Sequence, residues 1–235
     1  MNLYIVVEGR RTEKKVYPAW LSILIPELTR VDWPDEVSSK SYYLFNGNGF
    51  PSLLHNHLAN SIEEINELGT FDYLVLVMDV DETSIEFRKQ EVLEFIDEQN
   101  FSLPESTELV IIPQDKCLET WFLGNRNIFK SNPNRADLIE YVRFYNVKQN
   151  DPERMGVFDG FNTHAQFHSE YCKEFLRERN IRYTKVNPQG VTEETYLNEL
   201  IKRSMETEHL SSFKSFIEFC DNLKEKIKTT TANNG

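Results

Sequence analysis

Leu3-Tyr4-Ile5-Val6-Val7-Glu8-Gly9 and Tyr73-Leu74-Val75-Leu76-Val77-Met78-Asp79-Val80-Asp81 are apolar runs of strand length, and each stops abruptly at carboxylates. A continuous apolar run suits a strand covered on both faces, the situation of a parallel sheet. In such a sheet Glu8, Asp79 and Asp81 project from the C-terminal edge, where open α/β sheets bind ligands. Three neighbouring carboxylates repel one another, and a divalent cation or a shifted proton relieves the repulsion. The pattern therefore predicts a Mg2+ or Mn2+ site.

Working outward from these runs, strands and helices alternate. Thr12 is placed to cap a helix carrying Val16, Trp20, Leu21 and Leu24 on one face, with Pro18 predicted to kink it or move its start. A loop at 32–35 leads to a strand at 42–45, then to Asn46-Gly47-Asn48-Gly49 and a helix with Leu54, Leu58, Ile62 and Ile65 inward. After the strand at 73–78 comes a helix with Phe87, Val92, Leu93 and Ile96 inward, then a strand at 109–112 stopped by Pro113. Helical spacing recurs over 135–145, 163–179, 192–205 and 212–228, and the alternation at 181–186 predicts a short edge strand. The fold class is α/β, a parallel-sheet, Rossmann-like core over 1–124 with a mainly helical extension over 125–228 and a disordered tail over 229–235.

The two motifs resemble the TOPRIM domain, in which the first strand ends in Glu-Gly and a later one in Asp-X-Asp, as Glu8-Gly9 and Asp79-Val80-Asp81 do here. The likeness is closer to the stand-alone RloB-like and OLD-related TOPRIM proteins of bacterial and phage-defence loci. Their first motif continues as Glu-Gly-X-X-Thr-Glu and an aromatic, matched by Glu8-Gly9-Arg10-Arg11-Thr12-Glu13 and Tyr17. Their Glu-X-Trp-X-Leu element is similar to Glu119-Thr120-Trp121-Phe122-Leu123. The resemblance spans residues 3–124 and implies a Mg-dependent nuclease of nucleic acid, DNA before RNA, acting in anti-phage defence beside an ATPase or sensor subunit. It also implies that Asp79, Asp81 and Glu8 hold one or two cations, that Glu8 serves in acid–base chemistry, and that Glu119 completes a second metal site. A structured-RNA maturation endonuclease and a non-catalytic acidic subunit that binds a cation or a partner are the alternative readings.

Charge weighs against simple polyanion binding. Residues 1–124 hold 9 Lys and Arg against 22 Asp and Glu, a net of −13, and residues 125–235 hold 17 against 16, a net of +1. Affinity for a polyphosphate must then come from local cations, bound metal or a partner. Arg10, Arg11, Lys14 and Lys15 beside a helix start are the first candidates for phosphate contact, with Lys116 the next. Arg177, Arg179, Arg182 and Lys185 read first as surface and second as a nucleic-acid contact. Asn46 to Gly49 lacks the Lys-Ser/Thr of a Walker loop and reads as a turn. His164 and His168, four apart on a helix without the Glu of a zincin, read as a core or solvated pair. Cys117, Cys172 and Cys220 form neither a disulfide framework nor a CxxC pair. With no apolar run of membrane length and no signal stretch, the expected setting is cytoplasmic.

Overall fold

The apolar run at the N-terminus forms β1 (Asn2–Val7) and the second run forms β4 (Tyr73–Asp79). They pair in parallel, with Tyr4 opposite Leu74 and Val6 opposite Leu76. The computed structural model describes residues 1–233. Between the two strands run α1 (Glu13–Leu24), β2 (Thr29–Val31), β3 (Ser41–Asn46), a π-helical segment (Leu53–Leu58) and α2 (Ala59–Leu68). After β4 come α3 (Ile85–Glu98), β5 (Glu108–Gln114), α4 (Leu118–Phe122), α5 (Ala136–Phe144), α6 (His164–Arg177), α7 (Glu194–Glu206) and α8 (Ser211–Asn233).

The five strands lie in the order β2-β3-β1-β4-β5. β1 pairs in parallel with β3 and with β4, and β2 pairs in parallel with β3. From β1 the chain builds the sheet on one side through β2 and β3, then moves to the other side with β4. The strand order thus reverses between β1 and β4, the place where open α/β sheets hold their ligands.

By packing, the chain forms two units that do not follow a cut at residue 124. Among the described residues, unit 1 comprises 1–78, 85–113 and 218–233, and unit 2 comprises 79–84 and 114–217. In unit 1, Tyr4, Val6, Leu74, Leu76 and Met78 pack with Leu54, Leu58, Ile62 and Ile65. Leu3, Ile5, Val75 and Val77 lie on the opposite face of the sheet and are buried too, which is why these strands read as unbroken apolar runs. Unit 2 has its own core, with Trp121, Phe167, Tyr171 and Phe213 fully buried.

Several expectations need correction. The segment 181–186 is not a strand: only an isolated bridge joins Thr184 to Asn187, whose backbones close a tight turn instead. Phe87 and Leu93 are 58% and 47% exposed, because α3 turns Arg88 and Val92 inward. Pro113 does not stop β5 but lies within it, which an edge strand tolerates because its outer N–H positions need no partner. Residues 29–31, which the sequence assigns to no element, add a short edge strand, and Thr12 precedes α1 without a side-chain capping bond. α8 continues to Asn233, so the expected tail is helical over 229–233, while Asn234 and Gly235 lie outside the described residues. Among the described residues no helix is long and apolar enough to cross a membrane.

Candidate functional site

Glu8 extends β1, and its N–H donates to the Val77 carbonyl at 2.9 Å as the next rung of the parallel ladder. Asp79 is the last residue of β4. Each acid therefore sits at the C-terminal end of its own strand.

Glu8 is fixed by the Asn46–Gly49 run. Gly47 N–H donates to Val7 O at 2.8 Å, Gly49 N–H to Glu8 O at 2.9 Å, and Phe50 N–H to Glu8 Oε1 at 3.1 Å. The amides a phosphate nest would offer are spent on the chain's own oxygens, so the run is a turn that clamps Glu8. Gly49 adopts φ +88° there, a conformation that a side chain disfavours. At Gly9 the carboxylate of the buried Glu13 occupies the space where a β-carbon would lie. This contact accounts for the Gly and the last Glu of Glu-Gly-X-X-Thr-Glu. Arg10 and Arg11 are exposed and Lys14 is half-buried. None of the three makes an ion pair among the described residues.

In unit 2 the ends of β4 and β5 are joined beyond the regular ladder. Val80 N–H donates to Gln114 O and Asp81 N–H to Lys116 O, both at 3.0 Å. Asp81 and Lys116 both have left-handed backbones, with φ +53° and +67°. Such conformations cost energy outside glycine and gather at functional sites. Two of them facing each other across adjacent strand ends mark this corner as built. Thr83 secures the turn by donating its N–H and its hydroxyl to Val80 O. The Lys116 ammonium rests on Asp115 at 3.1 Å.

Glu119 lies in the first turn of α4, which Trp121 and Leu123 anchor as fully buried residues. The Trp121 indole N–H donates to Ser212 Oγ at 2.7 Å. The Glu119 carboxylate is 4% exposed and engaged: Tyr183 O–H donates to Oε1 at 2.9 Å, Ser169 O–H approaches at 3.5 Å, and the Lys185 ammonium lies at 3.8 Å. Burial, then the negative charges of Glu119 and Asp79, push the Cys117 thiol well above its ordinary range, so the two acids flank a thiol that stays protonated.

The paired histidines separate in role. His168 is fully buried, with Nδ1 against Thr120 Oγ1 at 2.8 Å and Nε2 against Met155 O at 3.1 Å. A carbonyl accepts only, so Nε2 carries the proton and Nδ1 accepts from the threonine. Burial pushes His168 down to about 4. His164, 25% exposed, meets Glu82 instead: its N–H donates to Oε1 at 2.7 Å and its Nδ1 lies 2.5 Å from Oε2. Burial works against the Glu82 charge, but the His164 hydrogen bonds and the nearby Lys116 hold its carboxyl below the usual range. Glu82 was not singled out by sequence, although it directly follows Asp79-Val80-Asp81.

Of the basic stretch in the second half, Arg177 pairs with Glu174 at 2.7 Å and Arg179 donates to the carbonyls of Ile128 and Phe129. Those two cations serve the fold. Among the described residues, no three His, Cys, Asp or Glu side chains form a group that could hold a metal ion. The chain matches no protein-family profile, no curated protein and no solved structure.

Proposed function

We propose that the protein is a metal-dependent phosphodiesterase of the TOPRIM class, cleaving nucleic acid at the C-terminal edge of its sheet. The observation that carries this reading is that β1 and β4 pair in parallel where the strand order reverses, and each of these strands runs into a carboxylate of its motif. Three cations that make no ion pair among the described residues, Arg10, Arg11 and Lys14, follow Glu8.

The donor set fits Mg2+ or Mn2+ in kind, because carboxylate oxygens are the ligands hard cations select. Mg2+ keeps several waters and is commonly held by one or two carboxylates together with substrate phosphates, which suits acids that do not form a closed cage. In this reading Asp79 and Asp81 would hold it together with substrate phosphate, and Glu8 joins them only as the resemblance implies. When bound, the ion would neutralise the scissile phosphate and lower the pKa of a coordinated water. Glu119, turned to Tyr183 and Ser169, is left out of this ligand set, so the four-acid version gives way to three acids. The left-handed turns at Asp81 and Lys116 orient the strand ends, and Lys116 would supply positive charge toward phosphate; a contribution of Arg10 and Arg11 rests on the resemblance.

The defence setting and an ATPase or sensor partner rest on the resemblance alone and remain part of the proposal. The deciding measurement is cleavage of a panel of single- and double-stranded DNA and RNA in Mg2+ or Mn2+. Asp79→Ala should abolish cleavage and leave the metal-free melting temperature equal or higher, and Glu8→Ala should abolish cleavage while losing the hydrogen bond from Phe50 N–H. A non-catalytic cation site predicts the opposite, with melting in Mg2+ lowered by the same substitutions. A well-folded Glu8→Ala protein that cleaves at the parent rate would defeat the reading.

A further inference from the structure

The two histidines four residues apart on α6 differ in one respect that matters chemically. Both ring nitrogens of His168 are hydrogen-bonded in the core, whereas His164 has only one nitrogen engaged. Glu82 grips His164 at two points, accepting the backbone N–H with one oxygen and meeting Nδ1 with the other. A carboxylate accepts, so in the neutral ring the proton sits on Nδ1 and the lone pair is left on Nε2. Among the described residues Nε2 has no hydrogen-bond partner, and the ring is 25% exposed. A carboxylate that fixes the tautomer and direction of an imidazole whose second nitrogen stays available is the arrangement of an oriented general base. It is attached to the strand-end corner through its carboxylate, because Glu82 follows Asp81 in the turn that Thr83 closes on Val80.

We propose that His164, oriented by Glu82, is the general base of the phosphodiester-cleaving site, an inference that rests on the function proposed above. Nε2 takes a proton from a water as that oxygen bonds to phosphorus. The bond from phosphorus to the leaving sugar oxygen breaks, and the resulting alkoxide takes a proton from solvent while the imidazolium returns its own. One water is consumed, and neither oxidant nor reductant is involved. Glu82 acts as a positioning residue, and His168 supports the fold.

The test uses the full chain with Mg2+ and a labelled oligonucleotide that the parent protein cleaves. His164→Ala should slow the chemical step by about 10²–10⁴-fold with little change in KM, the range for a positioned base. Added imidazole should restore part of the rate in proportion to its concentration. Glu82→Gln should give a smaller loss, about tenfold, that imidazole does not rescue. In parallel, long-range 1H–15N spectra of the histidines should place the His164 proton on Nδ1. Titration with inorganic phosphate in Mg2+ should then shift Nε2 in the parent protein and less in Glu82→Gln. An undiminished rate in His164→Ala, or a loss that imidazole leaves untouched, overturns the base while cleavage itself stands. Absence of cleavage by the parent protein on every substrate overturns the function. In that event the spectra judge the dyad separately, and an Nε2-protonated ring or one indifferent to phosphate overturns the orientation as well.

Discussion

A β-carbon on Gly9 would fall 1.9 Å from Oε2 and 2.1 Å from Oε1 of Glu13. Gly9→Ala should displace the flexible end of the Glu13 side chain and cost no more than about 1 kcal/mol. Combined with Glu13→Ala the cost should be less than additive, which urea melts of the two single variants and the double variant will read. Two buried groups should oppose each other in pH dependence. Burial pushes Glu153 up to about 7, against the hydrogen bonds it accepts from Ser211 and Ser212. Its stabilising contribution is complete below its ordinary value of 4.5 and is lost as pH rises through 7. His168 behaves inversely: its contribution is present above 6.5 and is lost as pH falls through 4. Glu153→Gln should flatten the decline toward alkaline pH and His168→Gln the decline toward acid, each by on the order of 1–3 kcal/mol. Melts at about pH 5 and about pH 8 separate them. At this scale the strand-end acids were legible, because a carboxylate that abruptly ends an apolar run marks the point where a buried strand emerges from the core. Glu82 and His164 were not, since 82 residues separate partners that only the fold brings together.

Among elements, α4 is short and depends on its neighbours. A β-carbon on Gly124 would sit 2.5 Å from Leu210 Cδ1 and 2.8 Å from the Trp121 carbonyl, and the Gly124 carbonyl accepts from the fully buried Arg203 at 3.0 Å. Gly124→Ala should lower stability by about 1–3 kcal/mol, visible as a lower melting temperature with the unit 1 mutations unaffected in size. Central strands and the longer helices could be read from periodicity because burial on fixed faces imposes it. The failures fell where periodicity has another cause. The alternation of 181–186 comes from one inward residue, Tyr183, reaching Glu119, while Val186 is 54% exposed. On α3 the buried guanidinium of Arg88 lies 3.8 Å from the centre of the Phe50 ring, so a charged residue occupies the inward face and displaces Phe87 outward. No rule of apolar spacing anticipates an arginine in that position.

For the molecule as a whole, a net charge of −12 destabilises any compact state through self-repulsion. Raising NaCl from about 20 mM to about 300 mM should raise the melting temperature, and a few millimolar Mg2+ should exceed the same ionic strength of NaCl if the strand-end acids bind it. Calorimetry at matched ionic strength checks both. The α/β class was legible over this whole length, but the division into units was not, because it follows packing and not chain order. Residues 218–233 of α8 belong with β1 to β5, and Lys226 and Phe219 close on Tyr73 at the start of β4. That arrangement has a consequence in time. A ribosome elongating at roughly 5–20 residues per second exposes the sheet strands on the order of ten seconds before the helix that covers Tyr73 is made. Throughout that interval Tyr73 lacks its cover, and slowing translation after β5 should increase aggregation of the nascent chain.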